Sequence, residues 1–296
     1  MSYKTILTVL TDPALIPATL DQAEILARTH DAHLDVLCLG VDRTQTGYYY
    51  AGANALILQE TIARAETKAN EIEAQVKARL ERSGVRWSTD AGVSQMADIA
   101  RHVAARARFA DLAVLPKPYG ATRGAELEPV IESAMFEGLC PILVVPGPGH
   151  AMTAPKRIVI GWNESREALV AVKAALPLLA QADLVHVVVV DPPSHGPSRS
   201  DPGGPLSQYL ARHGVRAEID VLVDGKLGEK WKMDRLDKTM LQLLRCGTYE
   251  LIARPDVPTA TVIDEYLDVA HAFFDKKDAK FVNGLLDAVA KDVRPR

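Results

Sequence analysis

Apolar and polar positions follow a changing period along this chain of 296 residues. Up to about residue 147, short β-branched apolar runs predict buried strands, and the segments between them carry apolar residues at helical spacing. Strands that alternate with helices pair in parallel through right-handed crossovers, and a sheet apolar on both faces is covered on both sides. Residues 1–147 are therefore predicted to form a doubly wound α/β domain. Its predicted strands are KTILTVL, HLDVLCLGV, VRWSTDAG, DLAVL and PILVVP, and its last helix is EPVIESAMFEGL.

The pattern starts again after the Pro/Gly-rich joint PGPGHAMTAPK. A strand (RIVIGW), a helix (NESREALVAVKAALPLLAQ) and a second strand (DLVHVVVVD) are followed by the turn-rich PPSHGPSRSDPGG, a short helix and the strand VRAEIDVLV. This restart indicates an internal repeat. The last helices and strands of the first copy have no counterpart, so residues 156–223 are predicted to be a truncated second copy.

Only a helical period remains in residues 229–296. Pro258 and Thr259 give a helix-start signal, and the segments RPDVP and DKKD separate three apolar stripes. This segment is therefore predicted to be all-α. The stripes consist of Leu236, Met240, Leu243, Leu244, Gly247 and Leu251; of Val262, Ile263, Tyr266, Leu267, Ala270, Phe273 and Phe274; and of Phe281, Val282, Leu285, Leu286 and Val289.

Composition and charge are those of an ordinary soluble protein, with 48% apolar and 24% charged residues and a net charge of -4. A net negative charge argues against a protein whose whole surface binds nucleic acid, and binding to DNA is not expected. After residue 224 the chain has 13 Lys or Arg against 12 Asp or Glu, so the helical segment has no net basic character.

The three cysteines, Cys38, Cys140 and Cys246, are odd in number and irregularly spaced, which fits neither a disulfide framework nor a zinc site. The first apolar run is too short for a signal peptide and is broken by Asp12, and no run approaches the roughly 18 apolar residues of a membrane span. We therefore expect a cytoplasmic protein in a reducing compartment, without a membrane partner.

Two families resemble different parts of the chain. Residues 1–223 look like tandem universal stress proteins, on the motifs ILTVLTDP, IVIGWNES and CPILVVP in this order and spacing. The resemblance implies a parallel five-stranded sheet of order 3-2-1-4-5 in the first copy. Residues 229–296 resemble the C-terminal half of the transcription antitermination factor NusB, on TYELIARPDVPTATVIDEYLDVA and KFVNGLLDAVA.

The change of period is thus explained by a join of two families between about Asp224 and Glu229. A natural fusion, an engineered join and a misassembled reading frame would all give this sequence. Because both partners are cut within a domain, we expect an accident of joining rather than a selected fusion. The loss of the last strands of the second copy also leaves its first strand as a bare edge that something must cover.

The resemblance implies ATP or another adenine nucleotide as the candidate cofactor of the first copy. The nucleotide-binding branch carries G-x-x-G, about nine residues and then G-[S/T], because glycines let backbone N–H groups approach phosphates. Here Pro116 replaces the first glycine, and Tyr119 or Gly120 falls near the second. The closing pair is either Glu128 and Pro129 or Glu132 and Ser133, depending on alignment. The nucleotide site is therefore expected to be degenerate.

A substitute phosphate loop remains open to Gly120, Arg123 and Gly124. Asp12 matches the acidic residue of the family after the first strand, where it would contact a ribose, but next to Pro13 it equally suits a helix cap.

In the second copy, Gly161, Asn163 and Ser165 match the first turn of the family, and they also suit a tight turn with a helix cap. Since this copy lacks the phosphate turn, a complete nucleotide site is not expected there.

The second resemblance implies a boxA-type RNA and a small ribosomal protein as partners. It carries over Asp278, Lys280, Phe281 and Asn283, near the partner-facing segment of the family. Phe281 also fits the core, and Asn283 also fits a role at the helix start. The arginine-rich N-terminal half of the family has no counterpart here, and a neutral segment attracts phosphates weakly.

Other motifs are weaker. His30 and His33 straddle a predicted helix end and strand start, SHGPSRSDP lacks the context of a catalytic triad, and GKLGEK lacks P-loop spacing. The aromatic residues Tyr48 to Tyr50 suit either stacking on a ligand or packing on their own domain. We therefore expect no enzyme, but a universal-stress-type binding and signalling protein that forms a homodimer through PILVVP. The alternatives are a NusB-like RNA-binding factor and an ATP-binding stress protein with weak hydrolase activity.

Overall fold

A computed structural model describes residues 2–43, 54–119, 124–145, 155–189, 203–221 and 238–294. The chain divides into two compact units, Met1–Thr153 (unit 1) and Ala154–Arg296 (unit 2). Each unit has its own parallel sheet. Within the described residues, none of the helices combines the length and the apolar character that crossing a membrane requires.

Unit 1 contains a five-stranded parallel sheet in the order β3-β2-β1-β4-β5. This order confirms the fold predicted from the alternation of strands and helices and from the first resemblance. β1 lies in the middle of the sheet and is apolar on both faces. The strands are β1 (Thr5–Leu10), β2 (His33–Asp42), β3 (Arg86–Gln95), β4 (Leu112–Pro116) and β5 (Ile142–Val145).

Helices connect these strands and cover the sheet. The helices are α1 (Ile16–His30), α2 (Asn54–Leu80), α3 (Ile99–Ala107) and α4 (Leu127–Glu132), with 3₁₀ turns at Pro13–Leu15 and Met96–Asp98. On one face of the sheet, Leu7 and Val9 of β1 share a core with Leu37 of β2 and with Ile99 and Val103 of α3. Their spacing of two residues along each strand is the pattern expected when alternate side chains enter one core.

The helix predicted over EPVIESAMFEGL is shorter in the structure. The α-helical part ends at Glu132, and Ser133–Glu137 form a π-helical turn. The amide of Gly138 donates to the carbonyl of Ser133 at 2.8 Å, which is the wider spacing of a π turn. Leu139 then adopts a left-handed conformation with φ of 52°. These two steps widen the helix end and redirect the chain towards β5.

Unit 2 begins with a smaller sheet in the order β6-β7-β8, formed by β6 (Arg157–Trp162), β7 (Leu184–Val189) and β8 (Ala217–Val221). These strands form a three-stranded parallel sheet in the region predicted to be a truncated second copy. Helices α5 (Arg166–Leu179) and α6 (Gly204–Arg212) share a core with one face of it. Members of this core are Ile160, Val185, Val187, Val189, Val172, Leu176, Leu206 and Leu210.

Three helices complete unit 2, namely α7 (Lys238–Ala253), α8 (Thr259–Phe273) and α9 (Lys276–Val293). Their apolar stripes form one core, and Val188 of β7 belongs to it while Val159 of β6 packs against it. Val188 lies between Val187 and Val189, which face α5 and α6. Since successive side chains of a strand point to opposite faces, α7 to α9 cover the second face of the small sheet.

The helical stripes predicted from sequence are buried with few exceptions. Gly247 allows close packing of α7 on α9, because a Cβ there would lie 2.9 Å from the Leu286 side chain. Phe273 differs from the prediction, since it is 66% exposed at the last residue of α8, while Phe274 packs against the core. Leu236 lies outside the described residues.

Candidate functional site

Charged side chains meet at the carboxyl edge of the sheet in unit 1. Thr11 and Asp12 follow β1, Arg43 follows β2, and Glu126 precedes α4 in the connection after β4. Strand order reverses between β1 and β4, and this is where doubly wound sheets form their binding crevice. The local sequence places each side chain there, because each follows the last apolar residues of a buried strand or starts the next helix.

Glu126 is the buried centre of this cluster, with a side chain that is 1% exposed. The guanidinium of Arg43 donates from Nε to Glu126 Oε2 at 3.0 Å and from Nη2 to Oε1 at 2.5 Å. The hydroxyl of Thr11 donates to Oε1 at 3.0 Å. A two-pronged arginine pair of this kind fixes both the position and the plane of a carboxylate.

These contacts keep Glu126 ionised. Burial by itself would raise the pKa of Glu126, but the hydrogen bonds from Arg43, its own backbone amide and Thr11 together hold the pKa below its ordinary value of 4.5. Gly124 gives the carboxylate its space, because a Cβ at that position would overlap the carboxylate oxygens. The buried charge is therefore compensated and tightly enclosed.

Asp12 belongs to a second ion pair beside the first. Its Oδ2 accepts a hydrogen bond from Lys68 Nζ of α2 at 2.7 Å, and its Oδ1 accepts one from the Ala14 amide at 3.0 Å. Burial would raise the pKa of Asp12, but the Lys68 ammonium and the Ala14 amide hold it below its ordinary value of 3.8. Asp12 therefore caps the short 3₁₀ turn before α1, as one of the two sequence interpretations predicted.

The four charged groups of the crevice cancel in pairs, Arg43 with Glu126 and Lys68 with Asp12. Of the residues predicted to form a substitute phosphate loop, Gly124 lies against the Glu126 carboxylate, while Gly120 and Arg123 lie outside the described residues. Pro116 ends β4 and offers no N–H to a phosphate. These residues thus form two compensated ion pairs.

Sequence reasoning did not single out Arg43 or Glu126. The two residues are 83 positions apart, and neither belongs to a recognisable local motif. The nucleotide-binding pattern pointed instead to Glu128 or Glu132, which lie two and six residues after Glu126. A pairing at this distance becomes visible only once β1, β2 and β4 lie side by side.

In unit 2, Asn163 and Ser165 form the turn between β6 and α5. The Ser165 amide donates to Asn163 Oδ1 at 3.1 Å, and the Ala168 amide donates to Ser165 Oγ at 3.1 Å, which caps α5. Glu164 between them has a φ of 58°. A Cβ at Gly161 would meet nothing within 4 Å, so steric space does not require a glycine there. The geometry is that of a turn with a helix cap.

The residues predicted to face partners lie in the first two turns of α9. Asp275 precedes them and caps the helix, accepting from the amides of Lys277 at 2.8 Å and Asp278 at 2.9 Å. Lys280 and Asn283 are exposed, and Asp278 is half-buried. Phe281 packs against the helical core, which fits the core role that the stripe also predicted.

Histidine and cysteine side chains form no metal cluster within the described parts of the chain. His30 is buried with its ring edge-on to Tyr3 at 4.8 Å, and His33 is hydrogen-bonded through Nε2 to Ser88 Oγ at 2.8 Å. Burial raises the pKa of Cys38 to about 12 and that of Cys140 to about 11, while Cys246 is exposed. The triad-like SHGPSRSDP, the motif GKLGEK and Tyr48 to Tyr50 lie outside the described residues.

A family model described as the NusB family matches residues 213–291. The transcription antitermination protein NusB of Novosphingobium aromaticivorans is 66% identical over 79 residues, and that of Sphingopyxis alaskensis is 58% identical over 79 residues. Each match covers 27% of this chain and 53% of the relative. The chain thus spans about half the length of the curated relatives it matches. The C-terminal part is therefore NusB-like, as predicted, and the matched range begins before β8.

Among solved structures, a universal stress protein from Archaeoglobus fulgidus matches with a TM-score of 0.51. The two are 12% identical, and the match covers 73% of this chain and 77% of that structure. At this identity the likeness shows the fold alone. The α/β part of the chain therefore has the universal stress protein fold, and the chain combines that fold with a NusB-like segment.

Proposed function

We propose that this chain is a universal-stress-type binding and signalling protein of the cytoplasm that is not an enzyme and does not hold a nucleotide phosphate in unit 1. Its proposed domains are residues 1–147, the truncated repeat 156–223 and the NusB-like segment 229–296. The Arg43–Glu126 pair in the switch-point crevice supports this proposal most directly. The three cysteines, none of which forms a disulfide, are consistent with a reducing compartment.

The electrostatics of the crevice support a degenerate nucleotide site. A phosphate that approached Arg43 would meet a guanidinium already neutralised by Glu126, and it would lie beside a second negative charge. Displacing Glu126 would leave a buried carboxylate without its partner, which is strongly unfavourable. Pro116 stands where the nucleotide-binding pattern has its first glycine, and Glu128 or Glu132 stands where it has its last. Neither a proline nor a glutamate offers a phosphate the close backbone N–H approach that a glycine allows.

Titration calorimetry with ATP and Mg²⁺ tests this proposal on the full chain. We expect no saturable heat and no release of phosphate. Saturable binding would contradict the degenerate site and favour the ATP-binding alternative. Phosphate release that disappeared in Asp12→Asn or Gly124→Ala would favour weak hydrolase activity.

The second candidate function is RNA binding by the NusB-like segment, on the strength of 66% identity over 79 residues. The second resemblance suggests a boxA-type RNA and a small ribosomal protein as partners, and Lys280 and Asn283 are exposed in the corresponding part of α9. Filter retention of a boxA RNA at low and high salt tests it. Lys280→Gln should weaken retention, whereas Lys291→Gln, at an exposed lysine paired with Asp287, serves as the matched control.

We also propose that two copies associate through β5. This strand pairs with β4, and no other strand of the described chain pairs with it. Several apolar side chains are exposed on β5 or in the segments just before it, which a monomer would leave in water. They are Phe136 at 67%, Leu139 at 82% and Val144 at 44% exposed.

Light scattering at several concentrations should give the mass of a dimer for the unmodified chain. Val144→Lys should shift it towards the monomer, because a lysine on an edge strand opposes edge pairing. Phe273→Lys, at an exposed phenylalanine of unit 2, should leave the dimer intact. A monomer mass at every concentration would refute the association.

A further inference from the structure

Two separate segments of unit 1 supply hydrogen-bond donors to the same two oxygens. The end of β1 supplies the Thr11 hydroxyl, and the residue after β2 supplies two N–H groups of Arg43. This donor set is what a bound oxyanion requires, and the planar guanidinium fork is especially suited to carboxylate and phosphate. Here the anion is a side chain of the protein itself.

The two partners of this pair face different surroundings. The Glu126 side chain is 1% exposed, whereas the Arg43 side chain is 51% exposed. The carboxylate therefore occupies the cradle from the protein side, and the guanidinium remains open to solvent. An anion from solution could reach Arg43 without any rearrangement of the sheet, if the carboxylate were not already there.

Lys68 adds a second cation beside the cradle. Its ammonium is bound to Asp12 and its side chain is 32% exposed. The two ion pairs are adjacent, because Thr11, whose hydroxyl contacts Glu126, is followed directly by Asp12, which binds Lys68. Without Glu126 this group of four would therefore carry a net positive charge.

We propose that Thr11 and Arg43 form an anion-binding site whose resident anion is the Glu126 carboxylate, and that the site accepts a phosphate group when this carboxylate is removed. Glu126 is then the residue that excludes phosphate from the crevice of the unmodified chain. This inference rests on the proposed function, since it takes the unmodified site to be closed to nucleotide phosphate.

Gly124 determines which substitution opens the site. Because the carboxylate lies where a Cβ of Gly124 would be, removal of the Glu126 side chain leaves space at this point. Glu126→Ala therefore vacates both the charge and the volume. Glu126→Gln keeps the volume, and its amide group offers Arg43 only one acceptor oxygen.

The experiment is titration of inorganic phosphate, and separately of ATP, into the full-length unmodified chain and Glu126→Ala, followed by calorimetry. The matched control is Asp90→Ala, which deprives Arg106 of an ion-pair partner on a surface elsewhere in unit 1. The variant Glu126→Ala with Arg43→Gln removes the cradle itself. Circular dichroism verifies that each variant is folded.

Phosphate should bind Glu126→Ala at least about tenfold more tightly than it binds the unmodified chain or Asp90→Ala, a factor that one charge-assisted hydrogen bond can supply. The double variant should lose this gain. If ATP gains as much as inorganic phosphate, the site recognises the phosphate group; a gain for ATP without a gain for inorganic phosphate would overturn the inference.

Equal affinities in Glu126→Ala and the unmodified chain would overturn the inference, as would an equal gain in Asp90→Ala or a gain that survives Arg43→Gln. If Glu126→Ala is unfolded, Glu126→Ser, which also removes the charge and most of the side-chain volume, takes its place and the same outcomes apply. ATP binding to the unmodified chain would refute the proposed function instead. If neither the unmodified chain nor Glu126→Ala binds phosphate, only this inference is refuted.

Discussion

The two units start in the same way and complete their cores differently. Each opens with a parallel strand, a helix and a second strand. Unit 1 continues with β4 and β5 beside its first strand, giving five strands. In its described residues, unit 2 has three strands, and the second face of its sheet is covered by α7, α8 and α9, which belong to a NusB-like segment.

This difference shows that an apolar sheet face must be covered, but that elements of different origin can cover it. β6 and β7 offer Val159 and Val188 on the face opposite α5 and α6. An apolar helical surface of suitable shape can fill that role, because hydrophobic burial is not directional. In the same way, the apolar stripes of α7, α8 and α9 are buried against the small sheet of unit 2.

A charge on the shared face should have the largest effect. Val188→Asp places a carboxylate between β7 and the helical core, where Val188 is 3% exposed. We expect unit 2 to lose about 3 kcal/mol or more of its free energy of unfolding, because a buried charge without a partner is costly. Denaturant unfolding monitored by hydrogen exchange of peptides from each unit measures it.

The matched control is Val170→Asp, at a valine of α5 that is 54% exposed. It should change the stability of unit 2 by less than about 0.5 kcal/mol. Equal effects of the two substitutions would contradict a core shared by the sheet and the helices.

Loss of Arg294 should have an intermediate effect. Its guanidinium donates to the carbonyls of Leu251 at 2.6 Å and Val257 at 2.6 Å, and also to those of Glu250 and Arg254, so it ties the end of α9 to the end of α7. Arg294→Ala should cost unit 2 about 1–3 kcal/mol, since hydrogen bonds to charged groups are lost and carbonyls at a helix end are left unpaired.

Thermal unfolding of unit 2, followed by the exchange of α7 amides, measures the cost of Arg294→Ala. Lys291→Ala, in the same last turns of α9 but paired only with exposed Asp287, should cost about 0.5 kcal/mol or less. If Arg294→Ala lowers the free energy of unfolding of unit 2 no more than Lys291→Ala does, Arg294 does not stabilise the contact between α7 and α9.

Acid should destabilise unit 1 through the crevice. The folded pKa of Glu126 is lowered below 4.5 and that of Asp12 below 3.8. A depressed pKa contributes stability above the unfolded value, and this contribution is lost as pH falls through the folded value. Unit 1 should therefore lose stability as pH falls below about 4.5, and Glu126→Gln should flatten this dependence. Stability at several pH values measures it, and an unchanged slope would contradict the assigned pair.

The smallest effect on the fold belongs to the cysteines. Cys246 is exposed, whereas burial raises the pKa of Cys38 to about 12 and of Cys140 to about 11, so their reactive thiolates are scarce at neutral pH. A thiol reagent should label one site rapidly in the folded chain, and Cys246→Ser should abolish the rapid phase. Rapid labelling that persisted in Cys246→Ser would show that a core of unit 1 opens.

The strand order of unit 1 and the helical stripes of unit 2 could be predicted because both follow from local periodicity. The burial of Met240, Leu244 and Leu286 is an example, since each falls on a 3.6-residue stripe. For the small sheet the sequence predicted a bare edge that something must cover, with docking of the helical stripes on this copy and self-association as the alternatives; the packing of Val159 and Val188 against the helical core shows docking on a face. The exposure of Phe273 departs from its stripe because the helix ends there.

The charge network of the crevice could not be predicted in this way. Thr11, Arg43 and Glu126 are far apart in sequence and meet only at the edge of the folded sheet. The family pattern directed attention to Glu128 and to the glycines, whereas the side chain that fills the crevice is Glu126. This part of the site therefore depends on contacts between residues that are distant in sequence, which residue spacing along the chain does not reveal.

The small sheet and the NusB-like helices share one core, and cutting the chain between them measures whether this packing holds the two parts together. A specific protease site inserted after Gly228 allows the folded chain to be cut, and gel filtration with mass readout then follows the two pieces. We expect the piece with β6 to β8 and the piece with α7 to α9 to elute together until denaturant is added. Separation of the pieces in native buffer would contradict it.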